Sequence, residues 1–222
     1  MTQFLEMQWG YSQKGKAVYK MFNRELHVAK QPLKYNPHLP LILGFDAGLT
    51  PAMTFMQQDP FGRLLILDEL VSDNMGAQRF CREKVKPLLN RKYQNAVIMV
   101  AADPATKQRA QTDERTVASV LEKELGVKVK GASSNDLAAR LGAVDSFLTL
   151  LTEAGPALLI DPSCKQTIAG FSSGYKYAIN TKGVASDKPD KNSYSHLADA
   201  IQYGAMAFVD GAAREARARK HA

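Results

Sequence analysis

Leu41-Ile42-Leu43-Gly44-Phe45-Asp46 is a short apolar run that ends in a carboxylate. Its length suits a strand better than a helix, and apolar residues at nearly every position suit a strand buried on both faces. Working outward, Ala52 to Gln57 reads as a second strand. Asp59-Pro60-Phe61-Gly62 reads as a turn, and Arg63 to Leu70 as a third strand running back. The first third of the chain is therefore expected to be an antiparallel meander.

Further on, helices and strands alternate. A helix is expected from Gly76 to Leu89, with Phe80, Val85, Leu88 and Leu89 inward. Ala96 to Ala102 is a fourth strand and also ends in a carboxylate, Asp103. Val117, Val120, Leu121 and Leu125 have helical spacing over Thr116 to Leu125, and Gly126 is a natural stop. Val127 to Val129 makes a fifth strand. Asn135 or Asp136 then caps a helix whose stripe is Leu137, Leu141, Val144, Phe147, Leu148 and Leu151. Ala157 to Ile160 is another strand, Gly170 to Asn192 a loop or hairpin, and Ser195 to Val209 the last helix. A meander followed by alternating elements predicts an α/β fold, a mixed sheet of antiparallel and parallel strands flanked by helices.

Asp46 and Asp103 both fall at strand C-termini, where open α/β sheets place their ligands. On the last helix His196, Asp199 and Tyr203 share one face, so Asp199 meets the other two acids if that helix lies on the sheet. Converging carboxylates repel unless a cation sits among them. Magnesium suits such a site, with oxygen ligands at about 2.0–2.1 Å. Two ions roughly 3.5–4 Å apart can activate a water and stabilise the leaving oxygen of a phosphodiester. Taken singly, each aspartate also reads as a helix cap or a strand end.

Three segments resemble the nuclease motifs of bacteriophage large terminase subunits. Gly44-Phe45-Asp46-Ala47-Gly48-Leu49-Thr50-Pro51-Ala52 is similar to the first. Ala102-Asp103-Pro104-Ala105, followed by Gln111 to Thr116, is similar to the second, and Pro189 to Tyr203 to the third. Ser134-Asn135-Asp136 with Arg140, and Gly170-Phe171 with Gly174 to Tyr177, fit the same pattern between them. The likeness runs in order from about residue 40 to about 208. It implies a ribonuclease-H-like domain that cuts concatemeric viral DNA with Mg²⁺ or Mn²⁺, two ions held by Asp46, Asp103 and Asp199. His196 stands where some members add an acid. It would touch a metal, orient a water or hydrogen-bond a ligand, the last two being favoured. The partners implied are double-stranded DNA, an ATPase motor ahead of the nuclease, the phage portal and the small terminase subunit. The location implied is the cytoplasm of the infected bacterial host.

Residues 1–40, with prolines at 32, 37 and 40, read as a linker segment, 41–210 as the nuclease domain and 211–222 as a basic tail. Gly10 to Ala17 has phosphate-loop spacing, but Ala17 stands where a magnesium-binding hydroxyl is required and no apolar run precedes it. The chain thus reads as the part that follows a motor. Among 222 residues there is no run of eighteen apolar ones and no basic-then-apolar N-terminus, so neither a membrane span nor secretion is expected. Two cysteines, Cys81 and Cys164, far apart and in no CxxC pattern, argue against a structural zinc site or a disulfide framework. The net charge of +7 suits an anionic partner. Lys107, Arg109 and Arg115 after the second acid, and Lys176, Lys182, Lys188 and Lys191 before the last helix, are the expected phosphate contacts. Arg140 is placed off its helix's apolar stripe, near enough for a carboxylate. Two other functions fit the same acids less well: an RNA/DNA-hybrid nuclease or junction resolvase, and a non-catalytic module binding DNA or portal.

Overall fold

In the computed structural model the apolar run forms β1 (Leu41–Asp46), an inner strand of a six-stranded sheet. The structure describes residues 15–110, 113–179 and 184–220, with side chains except at 109, 110, 113, 114 and 213–220. β1 pairs antiparallel with β2 (Ala52–Gln58), and β2 with β3 (Leu64–Val71), which makes the expected meander. On its other side β1 runs parallel to β4 (Ile98–Ala102). The short hairpin β5–β6 (Arg109–Ala110, Asp113–Thr116) follows, and β7 (Val129–Gly131) extends the sheet beyond β4. A second hairpin, β8–β9 (Leu151–Thr152, Gly155–Pro156), leads to β10 (Leu158–Ile160), which joins β3 in parallel. The last hairpin is β11–β12 (Tyr177–Ile179, Ala185–Pro189). Sheet order is β10-β3-β2-β1-β4-β7.

Helices cover both faces, which is why β1 is apolar at nearly every position. A one-turn helix, α1 (Arg24–His27), precedes the sheet. α2 (Ala77–Phe80), α3 (Lys86–Lys92) and α4 (Val117–Leu125) pack on the face that takes Leu41, Leu43 and Phe45. α5 (Leu137–Thr149), α6 (Lys165–Ala169) and the long α7 (Ser195–Lys220) pack on the face that takes Ile42. No helix among the described residues is long and apolar enough to cross a membrane.

Several local expectations change. The helix predicted over Gly76 to Leu89 is interrupted by a π-turn at Cys81–Val85 and then runs on to Lys92. The fourth strand starts at Ile98 and the fifth is shifted to Val129–Gly131. Gly126, at φ 70°, ends α4 as expected, because it takes a left-handed conformation costly for other residues. Asp136, not Asn135, caps α5, accepting from Ala139 N at 2.9 Å. Leu151 is exposed beyond the end of that helix, whereas Arg140 belongs to its buried side. Upstream of β1, Val18 and Tyr19 are buried in the core, and Val28 pairs with Ile160. Cys81 and Cys164 are buried free thiols, and burial pushes Cys81 up to about 12.

Gly44 sets how closely α7 approaches the sheet. A Cβ built there would lie 2.1 Å from the Ala200 carbonyl oxygen, so the helix backbone rests directly on β1. At the same crossing a Cβ on Gly204 would meet Met56 Cε at 1.9 Å, the free end of a flexible side chain. Gly44→Ala is expected to destabilise the protein by about 2–3 kcal/mol, because a main-chain oxygen cannot step aside. Gly204→Ala is expected to stay within about 1 kcal/mol of wild type, since Met56 can rotate and alanine favours helix. Thermal melts of both variants test this, and a Gly44→Ala protein as stable as wild type contradicts the contact.

Candidate active site

Strand parity and register bring the first two acids side by side. Phe45 pairs with Ala102 in the parallel β1–β4 ladder, so Asp46 and Asp103 are the next residues on adjacent strands. Asp46 has the parity of Ile42, and Asp103 that of Ala101, both of which face the α7 side. The third acid, Asp199, sits on α7, one residue before the Ala200 carbonyl that touches Gly44. Backbone contact thus delivers Asp199 to the strand tips, where it is 2% exposed.

Each acid has found a donor of its own. Asp46 Oδ2 lies 3.1 Å from His196 Nδ1. Burial raises the Asp46 carboxyl above its usual range and the Asp199 charge raises it further, while the His196 contact works the other way. The same contact raises the His196 imidazole. Asp103 Oδ1 accepts from Ala105 N at 2.7 Å, as an N-cap, and its Oδ2 lies 2.9 Å from the Tyr203 hydroxyl. Asp199 Oδ2 takes the Lys191 ammonium at 2.6 Å. Its Oδ1 is buried, 3.5 Å from Arg140 Nη1, and accepts no hydrogen bond among the described residues.

Tyr203 joins these contacts. Its oxygen accepts from Arg140 Nη1 at 2.8 Å and has two oxygens in reach, Asp103 Oδ2 and Asn135 Oδ1, each at 2.9 Å. A phenol has one proton, so the carboxylate takes it, and Asn135 completes the set with its amide turned to donate. The Arg140 guanidinium also lies 5.1 Å over the Tyr203 ring. Burial opposes its charge, but Asp199 and its other partners outweigh that and hold Arg140 above its ordinary range.

Among the described residues no three His, Cys, Asp or Glu side chains are gathered round one point as a cation would hold them. The acids are turned instead to His196, Tyr203, Arg140 and Lys191, contacts that offset their mutual repulsion. The donor set nonetheless fits a hard divalent cation. It offers three carboxylates on fixed backbone, and the Asp199 Oδ1 lone pairs are committed to no hydrogen bond.

The expected phosphate contacts are spread around this centre. Lys107 is exposed, and its side chain passes over Gly131 at the same end of the sheet. Lys188 is exposed on β12, and Lys191 reaches Asp199 itself. Arg115 lines a hollow of about 160 Å³ with Gln78 and Glu124, between α2 and α4. Lys176 pairs through its backbone with Ala17. The Arg109 side chain and Lys182 lie outside the described residues. On the other flank, His196 opens onto a cleft of about 610 Å³ lined also by Thr50, Ser72, Asp73, Gln166 and Tyr194. Two features escaped sequence reading. Gly44 inside a buried strand was a signal of close backbone approach, whereas nothing in the sequence pairs Lys191 with Asp199.

This architecture is similar to that of phage large terminase nuclease domains. The chain superposes on the P22 large terminase nuclease domain with a TM-score of 0.63 at 15% identity, covering 88% of this chain and 93% of that one. It superposes on the nuclease domain of the bacteriophage SPP1 large terminase, with bound Mn, at a TM-score of 0.53 and 20% identity, covering 81% and 94%. Against the large terminase of the thermophilic bacteriophage D6E the TM-score is 0.61 at 19% identity, over 86% of this chain. The chain spans 44% of that longer protein. No family model and no curated protein matches the sequence. Likeness at this identity establishes the fold, a ribonuclease-H-like mixed sheet.

Tyr203→Phe removes the hydroxyl on which Arg140 and Asp103 converge, leaving a buried guanidinium short of an acceptor. The expected cost is about 1–3 kcal/mol, read as a lower urea midpoint with an unchanged slope. An unaltered midpoint contradicts the convergence.

Proposed function

We propose that this chain is a divalent-metal-dependent endonuclease that hydrolyses phosphodiester bonds of double-stranded viral DNA during genome packaging. Asp46, Asp103 and Asp199 are its metal-binding and catalytic acids. The observation that carries this reading is Asp199: a carboxylate 2% exposed, with one oxygen accepting no hydrogen bond among the described residues, beside two strand-tip acids. Stability alone does not favour such a group, because an unsatisfied buried charged oxygen is costly. A bound pair of Mg²⁺ or Mn²⁺ ions would supply an activated water and neutralise the leaving oxygen. The chain's own groups then orient the parts. Tyr203 and Ala105 N hold the Asp103 carboxylate, and His196 holds that of Asp46 from the cleft side.

Lys107, Lys188 and Lys191 are the proposed contacts to phosphates flanking the cut, with Arg109, Arg115, Lys176 and Lys182 as outer contacts on the duplex. Such contacts hold register without reading sequence. The greater length of the D6E large terminase is in keeping with a further domain beside the nuclease, which we take to be an ATPase motor. A portal, a small terminase subunit and the host cytoplasm belong to the same proposal.

The expected outcome is nicking and linearisation of supercoiled plasmid in Mg²⁺ or Mn²⁺. EDTA should abolish it, and Asp103→Ala should lower it by about a hundredfold or more. Duplex DNA, RNA/DNA hybrid and a four-way junction at the same salt identify the substrate. Full cutting by Asp103→Ala removes that acid from the chemistry. Tight binding without product in any metal would point to a non-catalytic module.

A further inference from the structure

Two cations face Asp199, and they differ in kind. Arg140 is fixed, its guanidinium stacked over Tyr203 and bonded to the hydroxyl of that residue. Lys191 is not. Its ammonium is 2.6 Å from Asp199 Oδ2, yet its side chain keeps 75% of its exposure. The backbone on either side of it is pinned. Asp190 N donates to Lys176 O at 2.8 Å, Asn192 Nδ2 to Gly174 O at 3.0 Å, and Ser195 N to Asn192 O at 3.0 Å. The Lys191 tip can therefore leave by rotating its stem, with no movement of the chain.

Opening this contact costs little on the lysine side, where a strongly hydrated ammonium simply returns to water. The acid side is different, since a 2%-exposed carboxylate needs a nearby positive charge. Lys191 acts on the first acid as well, its charge lowering the Asp46 carboxyl and opposing protonation of His196. One removable charge thus lies among the groups that would share an ion.

We propose that Lys191 is an internal counter-ion: its ammonium holds Asp199 in the ion-free protein and is displaced when a divalent cation binds, freeing it for a DNA phosphate. This rests on the reading of the three acids as metal ligands. Because the cation and the ammonium compete for one carboxylate, Lys191 lowers the apparent affinity for the ion. A phosphate that takes the displaced ammonium favours the same state, so DNA and metal binding assist one another.

Calorimetric titration of MnCl₂ into the metal-stripped full chain, at constant pH and salt, tests this. Wild type is compared with Lys191→Met, Lys188→Met and Asp199→Asn. Lys191→Met is expected to bind Mn²⁺ roughly tenfold or more tightly than wild type, since a unit charge beside the site is gone. Lys188→Met should stay within about twofold, its charge being screened by solvent, and Asp199→Asn should lose most binding. Equal or weaker binding by Lys191→Met, with binding still lost in Asp199→Asn, overturns the counter-ion and leaves the metal reading standing. No Mn²⁺ binding by either wild type or Lys191→Met overturns both.

Discussion

The contact between the last helix and the central strand governs the rest of this structure. At Gly44 the α7 backbone rests on β1 with no side chain between them. Helices ordinarily stand off a sheet by the thickness of side-chain packing, and at that distance Asp199 would be carried away from the strand tips. Removing one Cβ brings the Ala200 carbonyl, and with it the neighbouring acid, down onto the sheet. Gly204 and Met56 fill the next turn of the same crossing. The placement of Asp199 is therefore a backbone property.

Bringing acids together in this way creates an electrostatic difficulty, and the side chains around them are arranged to meet it. Asp46 is offset by His196, Asp103 by Tyr203 and a main-chain N–H, and Asp199 by Lys191 and Arg140. These partners divide into fixed and removable ones. Arg140, stacked and bonded to Tyr203, is part of the framework, and breaking it would leave a buried charge behind. Lys191 and His196 reach in from the surface side, where water can receive them. In this arrangement one Asp199 oxygen accepts no hydrogen bond among the described residues.

Much of this could be read from the residues. The apolar run ending at Asp46, the similar run ending at Asp103 and the shared face of His196, Asp199 and Tyr203 are local patterns, and local patterns survive folding. The meander was legible because Asp59 to Gly62 has the chemistry of a turn. What failed depended on distant partners. Arg140, off the apolar stripe of α5, does meet a carboxylate as expected, but its burial is invisible to periodicity and comes from a phenol and that carboxylate on α7. The π-turn at Cys81–Val85 adds a residue to a helix without altering its composition. Val18 and Tyr19 sit in a stretch with no periodicity, yet Tyr19 is 1% exposed because Gln202 and Phe171 lie against it. Asp161 is a strand-end acid like the first two, and its structural task, accepting from Leu33 N and Ser163 N, is one that only the fold distinguishes from theirs.

Whether Asp46, Asp103 and Asp199 share divalent ions at the end of the sheet is tested most directly by crystals soaked in Mn²⁺ and measured at the manganese absorption edge. Anomalous peaks lying among the three carboxylates, with the Lys191 ammonium withdrawn from Asp199, are the predicted result. Manganese seen only elsewhere, with Lys191 and Tyr203 still on their acids at saturating Mn²⁺, would contradict it.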